Sequence, residues 1–197
     1  MLATAIVLLA AALAGYVLTG PWPREPQDPT AQPSAAATGG PATPPAQPGA
    51  LPAGWTRYED PQDGWSVGVP PGYVRSDRNG QVQFRNDEQR RTLRIDAEPP
   101  RGEPLEVWEQ FSRSLAGTLR DYQEVRLEAA EYRGLPAADL EFTFFDQTDL
   151  RVLDRTFVDA AGDRAYSLYW QTNARDWDEA LPVFRQLLET FQPRAQS

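Results

Sequence analysis

Cysteine, histidine and lysine are all missing from the chain, and each absence removes a class of chemistry. Without cysteine there is no disulfide, no thiolate metal site, no cysteine nucleophile and no thiol for lipid attachment. Without histidine the usual general base near neutral pH and the commonest metal ligand are both gone. Serine–histidine triads, zinc sites of the ordinary kind and histidine phosphorelays are therefore excluded. All 19 basic residues are arginine, a bias of the kind that high-GC bacterial genomes impose. They are outnumbered by 28 acidic residues, and the formal net charge of -9 argues against nucleic acid or an anionic lipid surface as the main partner.

What is present divides the chain into three parts. Its 197 residues leave room for one ordinary domain of roughly 100 to 150 residues and its appendages. Leu2 to Thr19 (LATAIVLLAAALAGYVLT) is 18 residues without a charge, about 27 Å of helix at roughly 1.5 Å per residue. Residues 1–20 are read as a single-pass transmembrane helix or signal anchor. A cleaved signal peptide stays open beside it, because Ala12-Leu13-Ala14 resembles a cleavage site. No Lys or Arg precedes the segment, whereas both readings want positive charge there. A cytoplasmic part upstream of Met1 is the expectation that follows. Trp22 reads as an interface anchor.

Residues 21–53 hold ten of the 19 prolines and almost no large apolar residue. Such a Pro/Ala-rich stretch cannot bury enough surface to offset its ordering entropy and is expected to be a disordered linker. From residue 54 to 194 aromatic, aliphatic and charged residues alternate, as an independent core requires. A tether between an apolar helix and a domain implies a C-terminal domain displayed extracytoplasmically on the cell membrane, a compartment that the lack of cysteine permits.

Within the domain, Trp65, Val67 and Val69 alternate with Ser66 and Gly68 as in a half-buried strand, stopped by Pro70-Pro71-Gly72. Gln81 to Arg85 and Thr92 to Asp96 read as two more strands. Pro104 opens a helix with Leu105, Trp108, Phe111 or Ser112, Leu115 and Leu119 on one face. Period two returns in YQEVRLEAAEY (122–132), PAADLEFTFFD (136–146), LRVLDRTFV (150–158) and AYSLYWQT (165–172). A last helix begins near Asn173 or Asp176, with Trp177, Leu181, Phe184, Leu188 and Phe191 as its stripe and Pro182 as an interruption. The fold class expected is α+β, an antiparallel sheet of about six to seven strands with two helices packed on it.

Carboxylates are the remaining acid–base groups. Asp139 and Glu141 share one strand face, a pairing that serves glycosidases and hard metals; the bland alternative, a solvated outer sheet face, is the expectation. Asp146 and Asp149 in FFDQTDL lack the further oxygen ligands of a calcium loop and read as turn residues. Asp154 and Arg155 point to opposite faces of their strand, and Arg155 suits a cross-strand ion pair with Asp139 or Glu141. No cofactor or metal is expected. Six Trp and seven Tyr are the stronger contact candidates, because Trp, Tyr and Arg concentrate in binding hot spots. Trp65, Trp108 and Trp177 fit core positions, which leaves Trp55, Tyr58, Tyr73, Tyr169 and Trp170 as candidate ligand or partner contacts. In AYSLYWQT the two large aromatics at 169 and 170 face opposite ways, so one is expected to reach the face away from the core.

WTRYEDPQDGWSVGVPPGY (55–73), YRGLPAADLEF (132–142), VLDRTFV (152–158) and AYSLYWQT (165–172) resemble the extracytoplasmic domain of actinobacterial serine/threonine protein kinases and related membrane-anchored proteins. That domain is similar to the PsbP-like fold. The resemblance implies a sensor or binding module without catalytic activity of its own, its partner a cell-wall component, a small molecule or an envelope protein. No glycine-rich kinase loop, HRD or DFG occurs in the sequence, so kinase activity is not implied for these residues. Two alternatives remain at this point: a secreted carboxylate-dependent hydrolase, and a PsbP-like assembly or protein-interaction factor.

Overall fold

The computed structural model describes residues 51–78 and 81–195. The expected membrane segment, and the linker up to residue 50, lie outside them. Among the described residues no helix is long and apolar enough to cross a membrane. The order of elements is β1 (Thr56–Glu59), β2 (Ser66–Val69), β3 (Val74–Arg78), β4 (Gln81–Asn86), β5 (Arg91–Glu98), α1 (Pro104–Ala116), β6 (Gln123–Tyr132), β7 (Leu135–Asp146), β8 (Thr148–Val158), β9 (Ala165–Asn173), a 3-10 turn (Ala174–Asp176) and α2 (Trp177–Thr190).

Seven strands form one antiparallel sheet in the order β3-β4-β5-β9-β8-β7-β6, and β1 and β2 form a separate ribbon. Two meanders are thus joined where β5 pairs with β9, Ile95 opposite Leu168. The expected α+β class and strand number hold, but the membership differs. The Trp65–Val69 alternation builds the ribbon rather than the sheet, and Val74–Arg78, with one apolar residue, supplies the edge strand instead. Its side chains show no alternation because the edge is held by backbone pairing with β4.

Alternate residues of the same strands belong to two different cores. Ala137, Leu153, Phe157, Leu168 and Trp170 pack with Trp65, Val67, Phe184, Leu187 and Phe191 from the ribbon, α2 and the residue after it. Ala138, Leu140, Phe142, Leu150, Val152 and Tyr169 pack with Trp108 and Leu115 of α1. Because neighbouring strand residues point to opposite faces, α1 and α2 cover opposite sides of the sheet. In α1 the buried residues Pro104, Trp108, Ser112 and Leu115 follow the expected stripe. Pro182 lies inside α2 without ending it, and Asn173 precedes the 3-10 turn whose last residue, Asp176, leads into the helix.

The β6–β7 hairpin turns through Arg133 at φ 53° and Gly134 at φ 80°, the two positive values of a primed two-residue turn, which glycine adopts without strain. The hairpin is fastened to the end of α2: Tyr132 Oη donates to Leu188 O at 2.6 Å and Arg133 Nη2 to Glu189 O at 2.6 Å. The ribbon is fastened there too, by Ser66 N to Gln192 O at 2.9 Å and Gln192 N to Ser66 O at 2.8 Å. At Gly68 the ribbon approaches α2 closely. Its N–H donates to Thr190 Oγ1 at 2.9 Å, and that hydroxyl donates onward to Leu187 O at 2.8 Å.

A Cβ at position 68 would stand 2.7 Å from Leu51 Cδ2 and 2.9 Å from Thr190 Oγ1. Gly68→Ala is therefore expected to destabilise the domain by about 1–3 kcal/mol, as overpacking of a close contact does. Urea unfolding followed by circular dichroism measures it, and an unchanged midpoint would remove the close approach as a constraint.

Candidate functional site

The two carboxylates that sequence spacing brings together are buried, Asp139 at 2% and Glu141 at 6% exposure, instead of solvated. The physical reason is the register of β7 with β8, which sets Arg155 opposite Asp139 and Arg151 opposite Thr143, diagonal to Glu141. Arg155 holds Asp139 in a two-pronged fork, Nε to Oδ1 and Nη2 to Oδ2, both 2.7 Å. Arg151 Nε donates to Glu141 at 2.7 Å, and Arg126 from β6 reaches Glu141 at 3.2 Å and Asp139 at 3.9 Å. Bonding to Asp139 raises the Arg155 pKa further. Both carboxylates are therefore committed to arginine partners.

The opposite face carries a second charged group that spacing alone did not single out. Arg94 Nε donates to Asp96 Oδ2 at 3.0 Å, and Gln81 Nε2 donates to Asp96 Oδ1 at 2.7 Å. The Arg94 guanidinium lies 4.3 Å from the centre of the Tyr169 ring. Asp154 accepts from Ser167 Oγ at 2.7 Å. Burial pushes the Asp154 carboxyl up to about 7, with Asp96 and Asp139 raising it further and Ser167 and Arg94 pulling it down. Burial likewise raises the Tyr169 phenol. The partners of Arg94 and Asp96 come from β4, β8 and β9, which no local pattern announces.

Asp146 ends β7 opposite Thr148, with Gln147 at φ 55° forming the turn. Burial raises the pKa of both Asp146 and Asp149. Among the described residues no group of three or more Asp, Glu, His or Cys could hold a metal ion.

Of the five aromatic candidates, four lie on the α2 side. Trp55, Tyr58 and Tyr73 are half-buried against that core, and Trp170 is wholly inside it. The Tyr58 ring sits 5.5 Å from Trp65 and 5.1 Å from Phe84, and Arg75 covers it at 5.0 Å. Tyr58 Oη donates to Asp60 at 3.1 Å, and burial together with that carboxylate pushes the phenol up to about 12. Tyr73 stacks on Trp170 at 6.3 Å, and Trp170 on Phe184 at 5.9 Å. Tyr169 points to the α1 side and is 3% exposed. The face away from the first core has a core of its own, so neither aromatic of β9 reaches solvent.

Two charge predictions follow. Arg155→Met leaves Asp139 buried without its partner and is expected to cost about 3–5 kcal/mol, while the double change Arg155→Met with Asp139→Leu recovers most of it. Urea midpoints of the three proteins check this; an Arg155→Met protein as stable as wild type rules the pair out as a constraint. For Asp154 the folded value of about 7 exceeds the ordinary 3.8, so between these limits the folded chain holds a proton that the unfolded chain has released. Its contribution to stability is full below that window, falls as pH rises through it and is level above it. Asp154→Asn should match wild type near the lower limit and exceed it at alkaline pH by a few kcal/mol, at about 1.4 kcal/mol for each pH unit. A stability difference that does not change with pH would contradict the assignment.

The sequence matches the family model described as "Serine/threonine kinase C-terminal domain" over residues 50–193. Among curated proteins no sequence match is found. Solved structures with the same fold include cyanobacterial PsbP (CyanoP) from Synechocystis sp. PCC 6803, 20% identical, TM-score 0.58, covering 72% of this chain and 93% of that one. The Ran-binding protein Mog1p of Saccharomyces cerevisiae is 10% identical, with TM-score 0.51 over 71% of this chain and 95% of its own. At these identities the structural likenesses establish a PsbP-like fold, and the family model covers most of the chain: the protein belongs to the serine/threonine kinase C-terminal domain family.

Proposed function

We propose that residues 54–194 are a non-catalytic binding module, displayed outside the cell membrane by the helix at residues 1–20 on the linker at residues 21–53. The observation that carries this reading is the family match over residues 50–193, on a domain whose Asp139 and Glu141 carboxylates are ion-paired. The Asp139–Arg155 fork and the Arg151 and Arg126 contacts to Glu141 disfavour a hydrolase built on that carboxylate pair, because both carboxylates already have arginine partners. Recognition of a small molecule, a wall component or an envelope protein then remains as the work of the domain. Mog1p is described as Ran-binding; contact with a partner of its own is the corresponding role here.

The test uses the full chain with a C-terminal tag in a bacterial host. The protein is expected in the membrane fraction after a carbonate wash, and protease added to intact spheroplasts should remove the domain. Release by the wash would overturn tethering, and protection until lysis would overturn display. Crosslinking in the same cells should give discrete adducts absent from an unrelated domain carried on the same helix and linker; identical adducts for both would overturn binding.

A further inference from the structure

On the α2 face, one end of the sheet carries a polar row. Asn86 pairs with Arg91. Arg91 lies one step beyond the Thr92–Gln171 pair and so beside Thr172, which in turn pairs with Arg151. Just inside runs an apolar row in which Phe84 pairs with Leu93, Leu93 with Trp170 and Trp170 with Leu153. The start of α2 lies over both rows. Phe184 stacks on Trp170, the Trp177 ring lies 4.7 Å from the Arg151 guanidinium, and Glu179 accepts from Arg91 Nη2 at 3.1 Å.

Three side-chain donors gathered here, Arg91 Nε, Trp170 Nε1 and Thr172 Oγ1, are buried and have no hydrogen-bond partner, and the buried Tyr73 Oη faces the Arg91 guanidinium. Every one of them can donate. Arg91 is 6% exposed, and Trp170 and Thr172 are not exposed at all. Folded proteins pair the great majority of such groups, so three in one neighbourhood mark a place prepared for an acceptor. The Arg91 ion pair is also one-sided. Its own side chain is 7% exposed whereas that of Glu179 is 81% exposed, and an ion pair with so exposed a member is weakly held.

A guanidinium presents Nε and Nη2 side by side, spaced for the two oxygens of a single carboxylate. The Arg155–Asp139 fork fills both prongs in this same domain. At Arg91, Glu179 fills only the Nη2 prong.

We propose that this row is a binding site for a carboxylate-bearing ligand. The ligand takes both prongs of Arg91, accepts further bonds from the neighbouring Tyr73, Trp170 and Thr172 donors, and displaces Glu179, the exposed carboxylate that occupies the mouth. One free positive charge and neutral donors suit a carboxylate better than a dianionic phosphate, because Arg151 is already committed to Glu141. The inference deepens the binding-module reading and rests on it. The source of the carboxylate is either a free small acid or the C-terminus of a peptide.

The experiment follows the Trp170 indole N–H resonance in the isotopically labelled full chain in detergent micelles, assigned with Trp170→Phe. Probes are acetate, N-acetyl-alanyl-alanine, its C-terminal amide, and chloride at matched ionic strength. The expected result is a saturable shift with a carboxylate and none with the amide or chloride. Response to both acids places small acids in the ligand class, and response to the dipeptide alone places peptide C-termini there. Arg91→Lys keeps the charge and removes Nε, and is expected to weaken binding by about tenfold. Glu179→Gln, a surface change that spares the fold, is expected to strengthen it several-fold. No saturable shift up to tens of millimolar in wild type and Glu179→Gln would overturn the site, as would equal shifts with acid and amide. Such a failure beside a domain that is still tethered, displayed and crosslinked leaves the binding-module reading standing, which separates the two.

Discussion

Strand β9 is buried on both faces, and the rest of the interior is organised around that constraint. Tyr166, Leu168 and Trp170 lie in the core under α2, while Tyr169 lies in the core under α1. A strand covered on one side only can shed its polar residues into water; here the flanking strands β5 and β8 have no such outlet near the centre. Charges that fall on β5, β7 and β8 must find one another. Asp139 meets Arg155 on one face, and Arg94 meets Asp96 beside Asp154 on the other. Removing one partner costs far more than the pair contributes, because the survivor stays buried without its counter-charge. Asp154 shows the limit of the arrangement. With no guanidinium of its own, it shares its surroundings with Asp96 and answers burial by holding its proton.

The second constraint is closure of the α2 face. The ribbon, the β6–β7 hairpin and the segment after α2 are joined by Ser66–Gln192, Gly68–Thr190 and Tyr132–Leu188 contacts. Among them the Tyr132 bond to Leu188 O, with that of Arg133 to Glu189 O, satisfies carbonyls at the helix C-terminus that have no partner within the helix. Leu51, where the described chain begins, lies against the same contact through Gly68. The entry of the domain and its exit therefore share one anchoring region, and the helix that crosses Trp170 is fixed at its C-terminal end. Its N-terminal end, by contrast, is tied to the sheet through side chains, Glu179 to Arg91 and Trp177 to Arg151.

What the sequence makes legible is what depends on local period. Trp108 and Leu115, and Trp177, Phe184 and Leu188, fall on buried helix faces as their spacing requires. Trp65, Val67 and Val69 are buried as their alternation implies, yet the strand pairs with Thr56–Glu59 rather than entering the sheet. Strand partner choice is non-local, and TRYE and VRSDR carry no alternation to reveal it. The status of Asp139 and Glu141 was illegible for a related reason. Polar residues at period two look the same whether the face they occupy meets water or a row of arginines from the next strands. Period two shows that Tyr169 and Trp170 face opposite ways, but that both faces carry a core depended on where α1 docked. The prepared row at Arg91 was the least legible of all, since its unpartnered donors come from β5 and β9, and Tyr73 beside them from the residue before β3.

Pairing inside this domain gives a standard against which its exceptions can be judged. A fold of this kind is shared with proteins only 10% to 20% identical, so the fold does not name the function; function must be argued from a site. Where buried arginine and carboxylate serve structure alone, both members are drawn inside: Arg94 and Asp96 have side chains 7% and 8% exposed. Arg91 is drawn in to the same degree, but its partner Glu179 stays in solvent. Burying that guanidinium costs solvation whether or not its partner follows. A purely structural pair would gain nothing from leaving one carboxylate outside and the Nε prong idle. An exchangeable partner requires that asymmetry, because the resident carboxylate must be weakly held and within reach of solvent for another to replace it.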